Sequence, residues 1–366
     1  MDSWIHPAFF FFIGSLLLPF IKGNAKKFII LLIPVLSIID VAIMREGVYG
    51  SFHFLGTTLV FGRVDKLSMV FAWVFTIMAF LGSLYALHVK EDGHHAAGNF
   101  YVGSSLGAIF AGDYLTLFIF WEIMAFSSVF LVWYRKEKQS IDAGYRYLLV
   151  HVFGGLCFFT GMMLYAYKTG SFEFERILQS GAGIPEYLIL AGFALNAAVI
   201  PLHAWLPDAY PEATVEGAVF MCAFTTKTAV YVLARGFPGF EVLAILGTAM
   251  TVYGVFYAVI ENNIRRVLAY HIVSQVGYMV AGVGIGTELA INGACAHAFA
   301  HILYKALLFM GAGAVLYMTG TAKLTKLGGL YKYMPLTMIF YIVGAISISG
   351  FPLFSGFVSK SMIVAS

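Results

Sequence analysis

Apolar residues follow one another in stretches of about 20, separated by short polar or charged loops. A stretch of this length crosses the hydrocarbon core of a bilayer as one helix. We therefore predict an all-α, polytopic membrane protein with about twelve transmembrane helices. The predicted spans are 7–21, 28–44, 67–89, 99–112, 114–134, 143–168, 185–206, 214–235, 241–261, 267–285, 289–318 and 334–366.

Two of these spans contain helix breakers near their middle. The seventh carries Pro201 and Pro207 in AVIPLHAWLPDA, and the twelfth carries Pro352 in SISGFPLFSGF. Proline removes a backbone donor and clashes with the preceding turn, so each span should unwind there. The two are five spans apart and therefore cross in opposite directions. Paired broken helices of opposite direction predict a protein built from inverted repeats.

We divide the chain into three parts. Residues 1–98 would hold the first three helices and a short extramembrane hairpin, because Val48 to Val64 alternates apolar and polar residues around three glycines. Residues 99–235 would form the first repeat, and residues 236–366 the second. The sequence ends soon after Lys360, so the second repeat is expected to be truncated, as in a fragment or a split subunit.

Composition supports the membrane interpretation. Apolar residues make up 60% of the chain, charged residues only 11%, and the mean hydropathy is +0.86, which excludes an ordinary soluble domain. The formal net charge of +3 gives no indication of a nucleic-acid partner. Cys157, Cys222 and Cys295 are far apart inside apolar segments and predict neither a disulfide nor a metal site.

Four ionisable residues lie well inside predicted spans: Glu122, Lys227, Lys305 and Lys360. A charge at the centre of a bilayer costs about 2.5–3.5 kcal/mol on insertion scales, so such groups should face protein or water. His297 and His301 precede Lys305 at intervals of four, which places all three on one face of a helix. With further histidines at positions 151, 203 and 271, this row suits a hydrated proton path.

Two other interpretations of these residues stay open. The charged groups could simply join helices to one another as interhelical hydrogen-bonding partners. His297 and His301 could share a zinc ion, but no third ligand is evident from the sequence. We predict no bound metal and no cofactor, and redox chemistry would belong to partner subunits.

Several motifs occur in order along most of the chain: GDYLTLFIFWE, PLHAWLPDAYPEA, NNIRRVLAYHIVSQVGYM, HAFAHILYKALLFMGAGAVLY and GFPLFSGFVSK. The chain thereby resembles the antiporter-like membrane subunits of respiratory complex I, of multi-subunit (Mrp-type) sodium/proton antiporters and of membrane-bound hydrogenases. The segment YLLVHVFGG is more similar to the antiporter and hydrogenase branch. The resemblance implies a membrane-embedded subunit with other membrane subunits as partners.

The resemblance also implies roles for individual residues. It assigns Glu122 to the carboxylate of the fifth helix, and Lys227 and Lys305 to the relay lysines of the eighth and eleventh. His297 and His301 would line the path, and Lys360 would lie near its exit. Asn196 stands where the family usually has a lysine that pairs with the glutamate, and we expect Lys227 to be the substitute partner of Glu122. The alternative is a hydrogen bond between Glu122 and Asn196. A smaller departure is Arg265, where the family often has lysine, and we expect little effect from this change.

Three functional hypotheses follow. The first is a subunit that translocates protons, exchanging them for sodium ions in its antiporter form. The second is a degenerate, non-conducting coupling subunit, because Asn196 cannot carry a charge. The third is an enzyme acting on quinone or lipid within the membrane, for which we find no nucleophile or acid–base pair on an interfacial loop. The chain would not be catalytic by itself.

The loops predict an orientation in the cell (inner) membrane. Thirteen Lys and Arg residues lie in loops on one side and six on the other. Because basic residues are retained in the cytoplasm, the richer side is predicted to be cytoplasmic and the N-terminus outside.

This orientation can be tested at Lys138, in a loop predicted to be cytoplasmic. A Lys138→Cys variant should react with a membrane-impermeant thiol reagent only after the cells are opened. Labelling of that position in intact cells would overturn the predicted topology.

Overall fold

The structure is a computed structural model that describes residues 4–54 and 56–366. Residues 1–3 and Leu55, which belong to the predicted N-terminal part and hairpin, lie outside the described residues. The helices are α1 Ala8–Leu17, α2 Gly23–Ile43, α3 Lys66–Tyr85, α4 Asp92–Phe110, α5 Tyr114–Trp133, α6 Lys138–Thr169, α7 Ile184–Asn196, α8 Trp205–Ala209, α9 Val215–Met221, α10 Thr225–Gly236, α11 Glu241–Ile260, α12 Ile264–Ile285, α13 Glu288–Thr319, α14 Pro335–Ser349 and α15 Ser355–Val364.

The chain is a mostly helical, multi-pass membrane protein. Among the described residues, seven helical segments are long and apolar enough to cross a bilayer: α3, α5, α6, α9 with α10, α11, α12 and α13. Three shorter apolar helices also occur, including α7 and α14. Fewer segments than the twelve predicted meet both conditions. Helices α1, α7 and α14 are short, α2 carries Lys26, Lys27 and Asp40, and α4 has a polar first half. Helix α4 begins at Asp92, earlier than the predicted residue 99, and its first turns are polar.

The N-terminal hairpin is present as strands β1 Gly47–Phe54 and β2 Thr57–Val64, paired antiparallel from Gly47↔Val64 to Phe54↔Thr57. Directly after β2, Asp65 caps α3 by accepting a hydrogen bond from the Ser68 amide at 2.9 Å. Two further bonds of 2.8 Å reach Asp65 from Arg235 on α10. Burial by itself raises the pKa of Asp65, but the hydrogen bonds and charge of Arg235 outweigh it and hold that pKa below its usual value. The hairpin is therefore fixed to the helical body.

One backbone junction occurs twice in the fold. Asp113 caps α5 and pairs as an isolated antiparallel bridge with Glu173, and Asn263 caps α12 and pairs in the same way with Lys323. The helices between the bridged residues include α6 and α13, each 32 residues long. Each of these long helices ends at a left-handed glycine, at Gly170 and Gly320. Asp113, Glu173 and Gly170 each precede their counterparts, Asn263, Lys323 and Gly320, by the same number of residues. This constant spacing supports two related halves.

Three helical segments are interrupted. Helix α7 ends at Asn196 and α8 begins at Trp205, with Pro207 inside the first turn of α8. Helix α14 ends at Ser349, and α15 begins at Ser355. The third interruption, at 222–224 between α9 and α10, has no proline or glycine, and the sequence therefore predicts only two broken spans.

Arg265 holds the link between α8 and α9. Its side chain is 1% exposed, and its guanidinium donates to four backbone carbonyls, those of Tyr210 (3.4 Å), Pro211 (2.8 Å), Ala213 (2.9 Å) and Thr214 (2.9 Å). The expectation that arginine in place of lysine has little effect is therefore wrong for the packing of this link. Arginine has five N–H donors in a planar fork, whereas lysine has three on one atom and cannot reach the same set of carbonyls.

We predict that Arg265→Ala lowers the free energy of unfolding by at least about 3 kcal/mol, because several buried carbonyls lose their donor. Arg265→Lys should be intermediate. The matched control is Arg266→Ala, since Arg266 is half-exposed and its nitrogen lies 3.9 Å from Glu261, and such a pair is worth at most about 1 kcal/mol. Thermal unfolding of the purified protein measures both, and equal shifts for Arg265→Ala and Arg266→Ala would contradict the assignment.

Candidate functional site

His297, His301 and Lys305 lie along one face of α13 and are fully buried. The two imidazole rings are 6.1 Å apart between centroids, and the Lys305 ammonium is 6.0 Å from the centre of the Phe309 ring. Within the described residues, no protein atom accepts a hydrogen bond from Lys305 Nζ or bonds either nitrogen of His301. Buried polar groups are costly unless they are hydrogen-bonded, so this face requires water or a mobile ion as its partner.

Lys227 lies in the first turn of α10, just after the third interruption. Its side chain is fully buried, and Nζ donates to the Cys222 carbonyl at 2.6 Å and to the Thr226 hydroxyl at 3.0 Å. The Cys222 carbonyl belongs to the interruption that follows α9, where the chain leaves the helix. The lysine therefore caps a carbonyl of the helix break from inside the protein.

Lys360 has the same relation to the break between α14 and α15. Its Nζ donates to the Ile348 carbonyl, in the last turn of α14, at 2.5 Å. The ammonium also lies 5.4 Å from the centre of the Tyr278 ring on α12. The preceding residue, Ser359, shares a 2.8 Å hydrogen bond with His297 Nδ1, which joins α15 to the buried face of α13.

Lys227 and Lys360 lie on α10 and α15, which both pack against α13, the helix of His301 and Lys305. His271 lies on α12, which also packs against α13. Within residues 4–54 and 56–366, no carboxylate forms an ion pair with any of the three lysines. The cluster therefore has no acidic partner among the described residues, and its unpartnered buried polar atoms need water as a hydrogen-bond partner.

Glu122 lies apart from this cluster. It is partly buried on α5 and lines a largely apolar groove of about 450 Å³ formed by residues of α4 and α5. Lys227 does not pair with it, because the ammonium of Lys227 is directed at the Cys222 carbonyl. The alternative contact is not formed either, since Glu122 Oε1 and both amide atoms of Asn196 have no partner among the described residues. Both expectations for Glu122 are wrong in this structure.

Gly155 is a site residue that the sequence reasoning missed. A Cβ added at this position on α6 would lie 2.1 Å from Glu122 Oε1, so the carboxylate occupies the space that the missing side chain leaves. The sequence feature that could have identified Gly155 is the pair of glycines at the end of YLLVHVFGG, inside an otherwise apolar helix. A glycine in a helix interior usually has a packing reason, and here the reason is the approach of Glu122.

Asn196, His151 and His203 lie on or beside the first interrupted segment. Asn196 is the last residue of α7 and is fully buried. His151 Nδ1 bonds the Tyr147 carbonyl at 2.9 Å, and its ring packs against Trp205, the first residue of α8. His203 packs against a tyrosine of α11. Across the described part of the chain, no group of three or more His, Cys, Asp or Glu side chains is arranged to hold a metal ion.

Residues 111–366 match the family described as NADH:quinone oxidoreductase/Mrp antiporter, TM. This match covers well over half of the chain. The chain belongs to this family. The antiporter-like resemblance of its motifs is thereby confirmed.

Similar proteins include antiporter subunits and a hydrogenase component. The chain is 35% identical over 277 residues to a Na(+)/H(+) antiporter subunit of Alkalihalophilus pseudofirmus, covering 70% of this chain and 56% of that protein. It is 31% identical over 344 residues to hydrogenase-4 component B of Escherichia coli, covering 84% of this chain and 51% of that protein. The chain thus spans about half the length of these relatives.

Solved structures show the same fold. A chain of the archaeal membrane-bound sulfane sulfur reductase superposes with a TM-score of 0.87 at 26% identity, covering 98% of this chain and 80% of that one. A chain of the Mrp complex from Dietzia sp. superposes with a TM-score of 0.88 at 27% identity, covering 98% of this chain and 42% of that one. A chain of respiratory complex I from Thermus thermophilus, at 23% identity and a TM-score of 0.79, shares the fold.

We predict that Gly155→Ala displaces the Glu122 carboxylate and lowers the free energy of unfolding by about 1 kcal/mol, the low end of over-packing, because the crowded atoms are the end of a flexible side chain. In a Glu122→Ala background the same substitution should cost much less. Gly154→Ala is the control, because its Cβ would lie 3.1 Å from the end of the flexible Leu195 side chain. Thermal unfolding of the four variants measures the coupling. An equal cost of Gly155→Ala with and without Glu122 would refute the contact.

Proposed function

We propose that this chain is a proton-translocating membrane subunit of a multi-subunit complex of the antiporter, hydrogenase or respiratory type. In the antiporter form of the proposal, protons are exchanged for sodium ions. One observation carries it: α13 and the two helices packed against it, α10 and α15, hold three lysines and two histidines, all buried except the half-buried Lys360, with no ion-paired carboxylate among the described residues. They are Lys227, Lys305, Lys360, His297 and His301. Such groups at membrane depth are costly, and an ion path is the use that best explains their retention.

The proposed path depends on a difference in hydrogen bonding among the three lysines. Lys227 and Lys360 are each bonded to a carbonyl at a helix break, so their ammonium groups have fixed positions. Lys305, between them in the relay, has no partner within the described residues and can change its hydrogen bonds. Two protonated lysines repel each other strongly in a medium of low dielectric constant. Arrival of a proton at one lysine therefore favours release from the next, with His301 and His297 passing it along the face of α13.

The fuller architecture is part of the proposal. It has twelve spans arranged as inverted repeats, two of them broken at the proline motifs, in the cell (inner) membrane with the N-terminus outside. The thirteen-to-six distribution of basic loop residues supports this orientation. The repeated junctions at Asp113 and Asn263 support the division into two repeats.

The proposed partners are other membrane subunits and the lipid bilayer. Named relatives are subunits of Na(+)/H(+) antiporters and a component of hydrogenase-4, and structural neighbours come from multi-subunit complexes. Redox chemistry, where a complex has it, would lie in those partner subunits. The chain itself would supply the ion path.

A second candidate function is a non-conducting coupling subunit. It is favoured by Asn196, which stands in place of a lysine, and by Glu122, which has no cation partner among the described residues. The first half would then be inactive, while the cluster around Lys305 would transmit structural changes only. Proton flux through the assembled complex distinguishes this function from the first.

Lys305→Ala should reduce proton flux in proteoliposomes containing the whole complex by on the order of a hundredfold, because a positioned proton carrier is removed. Lys305→Arg should also impair flux, since arginine remains protonated. Lys323→Ala is the matched control, an exposed loop lysine whose loss should leave flux unchanged. A Lys305→Ala complex that assembles and pumps at the normal rate would show that Lys305 is not in the path. Absence of flux in the assembled wild-type complex would support the coupling function instead.

A further inference from the structure

A basic pocket of about 340 Å³ lies where the start of α2 meets the link that follows α3. It is distant in sequence from every residue of the proposed ion path. Apart from three aliphatic residues, its lining is Lys22, Gly23, Lys26, Lys27, His88 and Lys90. Five of these six residues are cationic or can become so. Such a concentration of positive charge in one concave surface predicts an anionic ligand.

Most of this charge is not neutralised by the protein. Lys26 forms an ion pair with Asp92 at 2.6 Å, and His88 lies 2.8 Å from a carboxylate oxygen of Glu216. The other three, Lys22, Lys27 and Lys90, are exposed, and among the described residues none of them lies within ion-pair distance of a carboxylate. The pocket therefore keeps three unpaired ammonium groups. Their positive charge is therefore available to an anionic ligand.

The N-terminus of α2 adds hydrogen-bond donors to the same place. Its N-cap residue, Lys22, is extended and provides no side-chain cap, and the first turn contains no acidic residue. The first amide groups of a helix have no partner within the helix, and the positive end of its dipole attracts anions. Gly23, the first residue of α2, lines the pocket, so these amides adjoin the three lysines.

The pocket also adjoins exposed apolar surface. Phe20 and Phe28, which flank the pocket residues in the sequence, are 84% and 64% exposed. Ile30 and Leu87 form part of the pocket wall itself. A free inorganic anion would gain nothing from such surface. An anion that carries acyl chains would use both parts, because its phosphate can lie among the lysines while its chains cover the aromatic rings.

We propose that this pocket binds the headgroup of an anionic phospholipid. The phosphate contacts Lys22, Lys27 and Lys90 at the N-terminus of α2, and the acyl chains lie along Phe20 and Phe28. Basic pockets beside transmembrane helices on the cytoplasmic side bind such headgroups. The proposal is independent of ion transport, since it uses no residue of the path. It rests on the proposed orientation, which places this pocket on the cytoplasmic side of the membrane.

The test uses the full chain, purified in detergent and titrated separately with phosphatidylglycerol, phosphatidylcholine and inorganic phosphate. Native mass spectrometry counts retained lipid, and thermal unfolding measures the stabilisation that binding produces. The pocket variant carries Lys22→Gln, Lys27→Gln and Lys90→Gln. The matched control carries Lys323→Gln, Lys326→Gln and Lys332→Gln, which removes the same charge from exposed lysines outside the pocket.

We expect wild type and control to prefer phosphatidylglycerol over phosphatidylcholine. The pocket variant should bind phosphatidylglycerol about fivefold more weakly per lysine removed, and on the order of a hundredfold more weakly in all. If the triple variant fails to fold, the single variants, each with the fivefold expectation, replace it.

Three results would overturn the proposal. Equal losses in the pocket variant and the control would show that the effect is one of net charge alone. Full displacement of phosphatidylglycerol by millimolar inorganic phosphate would assign the pocket to free phosphate. Binding of an acidic peptide that depends on the same lysines, without any lipid preference, would assign it to a protein partner.

Discussion

The fold depends on one constraint, that every backbone carbonyl released by a broken helix must find a donor where no bulk water is available. Lys227 supplies the donor for Cys222, and Lys360 supplies it for Ile348. In the same way, Arg265 satisfies four carbonyls at the link between α8 and α9, which connects two segments rather than interrupting one. Side-chain cations thus stabilise the interruptions, and the interruptions in turn fix the positions of the cations.

This reciprocal arrangement explains why Lys305 differs from its neighbours. Helix α13 is continuous over 32 residues, so it releases no carbonyl to which Lys305 could bond. Among the described residues no protein atom accepts a hydrogen bond from the Lys305 ammonium. Lys227 and Lys360, in contrast, are each bonded to a backbone carbonyl.

The two halves share a backbone plan but differ in their chemistry. The offset that relates Gly170 to Gly320 also relates His151 to His301, and Gly155 to Lys305. Where the second half has its central lysine, the first half has a glycine, and the Glu122 carboxylate occupies the space beside it. Positions at the same offset thus carry a buried lysine in one half and leave room for a carboxylate in the other. The apolar groove in front of Glu122 is lined by residues of α4 and α5 and by no member of the lysine cluster.

The sequence by itself determined the membrane class, the hairpin, the family and the stacking of His297, His301 and Lys305. Each of these depends on local spacing, since hydrophobic length, strand alternation and the helical period are properties of neighbouring residues. Only the tertiary structure decided that Lys227 turns to a backbone carbonyl rather than to Glu122, and that Arg265 binds four carbonyls from a distant segment. Donor choice depends on which unsatisfied groups the packing brings within about 3 Å, and sequence spacing does not encode that distance. The helix interruption before Lys227 contains no proline or glycine, so the sequence does not indicate it and only the tertiary structure shows it.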